Sequence, residues 1–131
     1  MKKVVKFGGS SLASAEQFAK VGDIILADAE RRYVVPSAPG KRFPEDTKVT
    51  DMLYECYHMA EAGQDFHRLL SEIAARYQEI IEGLSLPLSL KGEFKTIEKN
   101  FQERAGENYA ASRGQYLNGI IMADYLNLEF I

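Results

Sequence analysis

The chain has 131 residues, 46% of them hydrophobic and 27% charged, with a formal net charge of −3. Such a length suits one domain with a buried core, and the mild acidic excess excludes a general attraction to nucleic acid or to an anionic membrane surface. No apolar run is long enough to span a membrane, and the lone cysteine, Cys56, allows no internal disulfide, which suits a reducing, cytoplasmic setting.

The first predicted strand covers residues 2–7, where Lys2, Val4 and Lys6 alternate with Lys3, Val5 and Phe7. Charged Lys6 and two glycines follow only two valines, a pattern unlike a secretion signal. The strand breaks at Gly8-Gly9, and Ser10 and Ser11 lead towards a helix over 14–29 with Phe18, Val21, Ile24, Ile25 and Ala29 near one face. Ser14 is its expected N-cap, with Gln17 at capping-box spacing. Strand, glycine pair, hydroxyls and helix, in that order, build a pocket for an anion. Glycines let backbone N–H groups approach ligand oxygens closely, and a helix start offers unpaired donors. Lys6 would add a full positive charge, so the segment reads as a holder of nucleotide phosphates, although taken alone Lys6 also reads as a solvated strand-end lysine and Gly8-Gly9 as an ordinary turn.

Arg31 and Arg32 then precede Tyr33-Val34-Val35, a short second strand ending at Pro36. The spacing predicts a βαβ unit with parallel strands. Ligands of parallel sheets gather at the carboxyl ends of the strands, so Gly8-Gly9 and Ser37-Ala38-Pro39-Gly40 are expected side by side. Residues 37–48 read as a loop long enough to be a lid or binding loop.

Four helices follow. The first opens at Thr50-Asp51, turns Met52, Leu53, Cys56 and Met59 or Ala60 inward, and ends at Gly63. The second covers 65–82, with Phe66, Leu69, Leu70, Ile73, Tyr77, Ile80 and Ile81 at three- and four-residue spacing. The third spans 89–104 with Phe94, Ile97 and Phe101, and the fourth spans 107–127. Residues 128–131 read as the start of another strand. Two or three parallel strands with helices on one side leave the other face open, whereas parallel sheets are usually covered on both. The chain is therefore expected to be the opening portion of a longer α/β domain.

Several residues carry two readings. Gly40-Lys41 is similar to the end of a Walker A loop, but Val35 stands where that motif needs its first glycine, so a P-loop NTPase is rejected. Lys41 and Arg42 either touch nucleotide phosphates or are solvated loop charges. Ser37 is a turn residue or a cleft residue, and Thr50 doubles as a helix cap. His58 and His67 lack a ligand cluster and are read as surface or satisfied histidines. Cys56 is read as core, and Tyr54, Tyr57, Phe66 and Tyr77 as packing residues.

The combination K-F-G-G-S-S-L at 6–12, S-A-P-G at 37–40, V-T-D-M-L at 49–53 and A-S-R-G-Q-Y-L-N at 111–118 resembles the start of aspartate kinases, in register over essentially the whole chain. The resemblance implies an α/β, partial amino-acid kinase (carbamate kinase-like) fold: a parallel sheet with helices and a helix-rich second half. It implies a family that converts L-aspartate and ATP, with Mg2+, to 4-phospho-L-aspartate and ADP, the first step towards lysine, threonine and methionine. Residue by residue, Lys6 matches the lysine that neutralises charge on the phosphates and on the phosphoryl group in flight. Gly8, Gly9 and Ser10 match the loop around that group. Ser37 and Thr50 match residues near bound aspartate. Arg113 and Gly114 lie in the motif that presents an acidic residue to the substrate's amino group. Here Gln115 stands in place of the usual glutamate, which removes the ionic part of that contact and implies weaker aspartate binding.

On this reading residues 1–131 are the N-terminal part of an amino-acid kinase domain, without the G-R-G-G-S-D-type segment, the adenine-binding region or regulatory domains. No metal ligands are assigned within it. Phosphoryl transfer needs charge stabilisation from several sides, so the chain alone is expected to be inactive. The expected partners are L-aspartate and ATP in the full enzyme, and a homo-oligomer or a complementary chain, with neither nucleic acid nor membrane. Two alternatives stand beside this: a non-catalytic protein that associates with a complementary chain through an exposed sheet edge, and a related kinase acting on glutamate.

Overall fold

The two strands and the helix between them form the expected crossover. In a computed structural model that describes residues 1–130, β1 (Lys3–Phe7) and β2 (Arg31–Pro36) pair in parallel, with Lys6 opposite Val35 and Phe7 opposite Pro36. The register slips by one residue at the other end, between Lys3 and Val4. The connection is α1 (Ala15–Leu26), long enough to return the chain to the same edge of the sheet. Ser14 caps it as expected, its hydroxyl accepting from the Gln17 N–H at 3.4 Å.

Phe18, Val21 and Ile25 form the buried stripe of α1. Ile24 and Ala29, expected on the same face, are exposed. Ile24 lies about a third of a turn from Ile25 and is about half exposed, and Ala29 falls after the helix has ended.

After the loop, α2 (Val49–Glu61), α3 (His67–Gly83), α4 (Lys91–Gln102) and α5 (Glu107–Leu126) build the body of the molecule. Their inward faces enclose Leu53, Tyr57, Ile73, Tyr77, Ile97, Phe101, Leu117 and Ile121. The Tyr77 hydroxyl donates to the Gly114 carbonyl at 3.0 Å, and the Tyr57 hydroxyl accepts from the Gly106 N–H at 3.0 Å, so both phenols keep a partner where burial demands one. Cys56 is fully buried, and burial pushes its thiol up to about 12, as befits a core residue. Gly63 follows α2 at φ +75°, a conformation that admits glycine readily. The His67 ring sits 2.7 Å from Asp65 and 2.7 Å from Glu98, tying the start of α3 to α4, and these carboxylates raise its pKa, Asp65 more than Glu98.

Three expectations are corrected. The N-cap position of α2 is Lys48, so Thr50 lies inside the helix and does not cap it. Tyr54 stands at the surface instead of in the packing. Residues 128–130 form no strand: the Leu128 N–H bonds back to the Ala123 carbonyl, and Phe130 packs edge-on against Tyr116 and over Gly119. Among the described residues a strand there has no neighbour to pair with, and residues 128–130 fold onto α5 instead. The last residue of that expected strand, Ile131, lies outside the described residues.

The sheet has two unlike faces. Val5, Phe7 and Val34 pack against the core, whereas Val4, Tyr33 and Val35 point away from it and are exposed. The open face expected from the sequence is therefore present among the described residues.

Candidate functional site

The ends of β1 and β2 release two loops on the same side of the sheet, and these loops touch. The Gly40 N–H donates to the Gly9 carbonyl at 2.8 Å. A Cβ on Gly9 would lie 3.0 Å from the Ala38 carbonyl oxygen, and one on Gly40 would lie 2.6 Å from the Gly9 carbonyl carbon. Only bare backbone fits on both sides of this contact. The convergence read from the βαβ pattern is thus a direct backbone crossing.

On the first loop, a single 3-10 turn over Gly9–Leu12 begins straight after Gly8 and precedes the cap of α1. The turn's first bond runs from the Ser11 N–H to the Gly8 carbonyl at 3.2 Å, which leaves the Gly9 and Ser10 N–H groups ahead of it. Leu12 is fully buried and anchors the turn. Gly8 and Ser10 are exposed, and space for a Cβ on Gly8 is open to at least 4 Å. Lys6 alternates with core-facing Val5 and Phe7, so it stands on the open face of the sheet. It makes no ion pair among the described residues.

The second loop is held from three sides. The Val49 N–H at the start of α2 donates to the Pro39 carbonyl at 3.1 Å. From α5, the Asn118 amide donates to the Ser37 carbonyl at 2.9 Å, and the Gly114 Cα faces Ala38 so closely that an added Cβ would lie 2.5 Å from the Ala38 methyl. From α3, Arg76 donates to the Gly40 carbonyl at 2.8 Å and to the Thr47 carbonyl at 3.0 Å. Asp46 lies 3.6 Å from Arg76 and is gripped by Arg42 through its side chain, at 2.7 and 3.1 Å, and its backbone N–H. The Arg42 hydrogen bonds hold the Asp46 carboxyl well below the usual range, while burial lowers the Arg76 pKa from its ordinary value without discharging it.

These contacts bring together Gly8, Gly9 and Ser10, Ser37, the first turn of α2 with half-buried Thr50, and Gly114. Exposed Gln115 follows Gly114 on α5. Arg113 lies elsewhere: its guanidinium sits between the rings of Tyr109 and Tyr116, at 4.6 and 4.4 Å, beside Gly92, Glu93 and Thr96 of α4. Arg42, read as a phosphate contact or a solvated charge, is an exposed residue that pairs with Asp46 and Glu79. Lys41 is exposed. Arg76 and Asn118 were not singled out in the sequence. Each sits at a position of its helix where an apolar residue was due, and a polar residue on an inward stripe is the signal that marks them.

The donor set around the first loop is a cation, hydroxyls and backbone N–H groups. It fits phosphate oxygens and does not fit a divalent cation, and among the described residues no group of three His, Cys, Asp or Glu side chains is placed to hold one. No helix of the described residues is long and apolar enough to cross a membrane.

No protein-family model matches the chain. Aspartokinase 3 of Bacillus subtilis (strain 168) is 48% identical to it over 88 residues, which are 67% of this chain and 19% of that protein. The crystal structure of Clostridium acetobutylicum aspartate kinase superposes with a TM-score of 0.93 at 48% identity, covering 98% of this chain and 29% of that one. Escherichia coli aspartokinase III, solved with aspartate and ADP, superposes with a TM-score of 0.76 at 25% identity, covering 97% of this chain and 29% of that one. The chain thus spans less than a third of the length of the relatives it matches.

Proposed function

From the premise that this chain belongs to the aspartokinases by sequence and by fold, we propose that it supplies the phosphate-binding wall of an ATP-dependent aspartate kinase. Residues 1–131 are then the N-terminal part of an amino-acid kinase domain. One observation carries the reading: the glycine loop after β1 and the Ser37–Gly40 segment after β2 cross backbone to backbone, with Lys6 unpaired among the described residues beside them. A carboxylate oxygen of aspartate attacks the γ-phosphorus of ATP, the bond to the bridging oxygen breaks, and ADP leaves with that electron pair. Negative charge is spread over the three phosphoryl oxygens in the transition state, with the attacking and leaving oxygens roughly in line. Lys6 and the Gly9 and Ser10 N–H groups are the donors that meet it. Ser37, Thr50 and Gln115 face the aspartate, while Arg113 shapes α5 beside them. Magnesium arrives as the counter-ion of the nucleotide, and no step is assigned to it. The product enters synthesis of aspartate-derived amino acids such as lysine, threonine and methionine, and a buried reduced Cys56 suits the cytoplasm.

The test is a graft of this chain in place of the matching segment of the Clostridium acetobutylicum enzyme. ADP release that depends on aspartate and not on glutamate is the expected result, with a Michaelis constant for aspartate above the parent's because Gln115 is neutral. Lys6→Met should lower kcat by about a hundredfold or more. A graft that turns over equally fast with and without this substitution would remove the lysine from the chemistry, and a preference for glutamate would overturn the substrate. The chain by itself should form no aspartyl phosphate.

The exposed Val4, Tyr33 and Val35 on one sheet face favour a second role, association with a complementary chain. Mixing this chain with the remainder of the grafted enzyme and measuring the sedimentation coefficient tests it; two independent boundaries would end that reading.

A further inference from the structure

Arg76 is 5% exposed, sits on the inward face of α3, and spends its two terminal nitrogens on backbone carbonyls of the 37–48 loop. A buried guanidinium is costly unless its partners are fixed, and here both terminal nitrogens have fixed partners, while Nε has none among the described residues. Asp46 lies 3.6 Å away and is itself held by Arg42, while the Thr47 and Gly40 carbonyls take one hydrogen bond each. Gly40 is the notable partner, through the two peptide groups that flank its Cα. Its carbonyl accepts from Arg76 at 2.8 Å, and its own N–H donates to the Gly9 carbonyl at 2.8 Å. Gly40 therefore stands between α3 and the glycine loop, bonded to each.

We propose that Arg76 is a positioning residue for the phosphate loop, acting through Gly40 on Gly9 without touching a ligand. The inference rests on the phosphate-site reading above and adds to it a residue that sets where the loop donors stand. The guanidinium fork is needed because two carbonyls, seven residues apart in the chain, must be held at once. An ammonium on a flexible stem satisfies a carbonyl but does not fix the angle between two of them. Loop donors displaced by about 1 Å lose much of their value to a transition state, a loss that reaches about a hundredfold.

Arg76→Lys is the decisive variant, since it keeps a cation beside Asp46. Two readouts are used. In the chain as it stands, amide hydrogen exchange at Gly40 should quicken by about tenfold, while the amides of Ile80 in α3 and Leu117 in α5 stay within about twofold. In the graft, kcat should fall by about tenfold or more, with the Michaelis constant for aspartate nearly unchanged, because Asn118 still holds Ser37. Uniform quickening of all three amides would mean that Arg76 only stabilises the fold, and would overturn the proposal, as would an unchanged kcat in an active graft. If the graft is inactive with Arg76 present, the functional reading fails and the exchange pattern alone decides positioning. Should Arg76→Lys not fold, the unmodified chain still decides: a Gly40 amide that exchanges as fast as an exposed loop amide overturns the proposal.

Discussion

The loop after β1 and the loop after β2 touch along their backbones, yet their polar groups are disposed in opposite ways. In the second loop the Ser37, Pro39, Gly40 and Thr47 carbonyls all accept from α5, α2 or α3, and the segment 38–40 is buried. In the first loop Gly8 and Ser10 are exposed, and the Gly9 and Ser10 N–H groups precede the first bond of their turn. Under the proposed function, the second loop is a platform and the first a working surface. Anion binding needs donors that are free of internal partners yet held in place, and a loop cannot provide both by itself. The second loop provides the rigidity, and a glycine-to-glycine crossing transmits it to the first.

The contact between the loops is where this arrangement breaks most readily. Gly40→Ala puts a methyl 2.6 Å from the Gly9 carbonyl carbon and 2.8 Å from the Ser10 nitrogen, both of them backbone atoms that no rotamer change can move. The loops must part, and the bond from the Gly40 N–H to Gly9 is lost with the contact. A destabilisation of about 2–3 kcal/mol is expected from the overpacking, read as a lower urea midpoint at unchanged slope. A midpoint within error of the parent would show that the two loops are not held against each other.

A smaller effect is expected one layer out. Asn118 is fully buried, and its amide nitrogen serves Ser37 while its Oδ1 has no partner among the described residues. Asn118→Leu removes a useful donor and an unsatisfied acceptor together. The first loss costs about 1–3 kcal/mol because the Ser37 carbonyl is left unpaired, and the second removes part of that penalty. A net loss of about 1 kcal/mol, measured by the same urea titration, is the outcome that fits. A gain in stability would mean that the bond to Ser37 contributes little to holding the second loop.

Legibility in the sequence follows the range of the interaction. The parallel pair, α1 and the four later helices are carried by period and by local caps such as Ser14, so they could be read along the chain. The meeting of Gly8-Gly9 with Ser37–Gly40 follows from topology, since parallel strands release their loops on one side. Periodicity marks Arg76 and Asn118 as polar residues on inward stripes, but which loop carbonyls they serve, like the closeness of Gly114 to Ala38, depends on which helix packs over which loop, and separations of 36 to 81 residues leave no trace of that. For Arg113, its place in a motif says nothing of the tyrosines one turn to either side that hold its guanidinium. The end of the chain misled because apolar Leu128 and Phe130 suit a strand, but a strand also needs a neighbour, and Phe130 found Tyr116 instead.

The least disruptive change separates the working surface from the platform. Gly8 has φ −78° and ψ 170°, a conformation open to any residue, and nothing lies within 4 Å of an added Cβ. Gly8→Ala should therefore leave stability within about 0.5 kcal/mol of the parent, in contrast to the same substitution at Gly40. Folding places no demand for glycine here, so any demand must come from a ligand that approaches the backbone. In the graft, a methyl at this position stands in the space where phosphate oxygens are read to lie, and ATP turnover should weaken although the urea midpoint does not move. If stability and turnover are both unchanged, the space beside Gly8 is solvent and the phosphates lie closer to Gly9 and Ser10. If stability falls, the first loop is more tightly packed than its open surroundings indicate, and the division between the two loops does not hold.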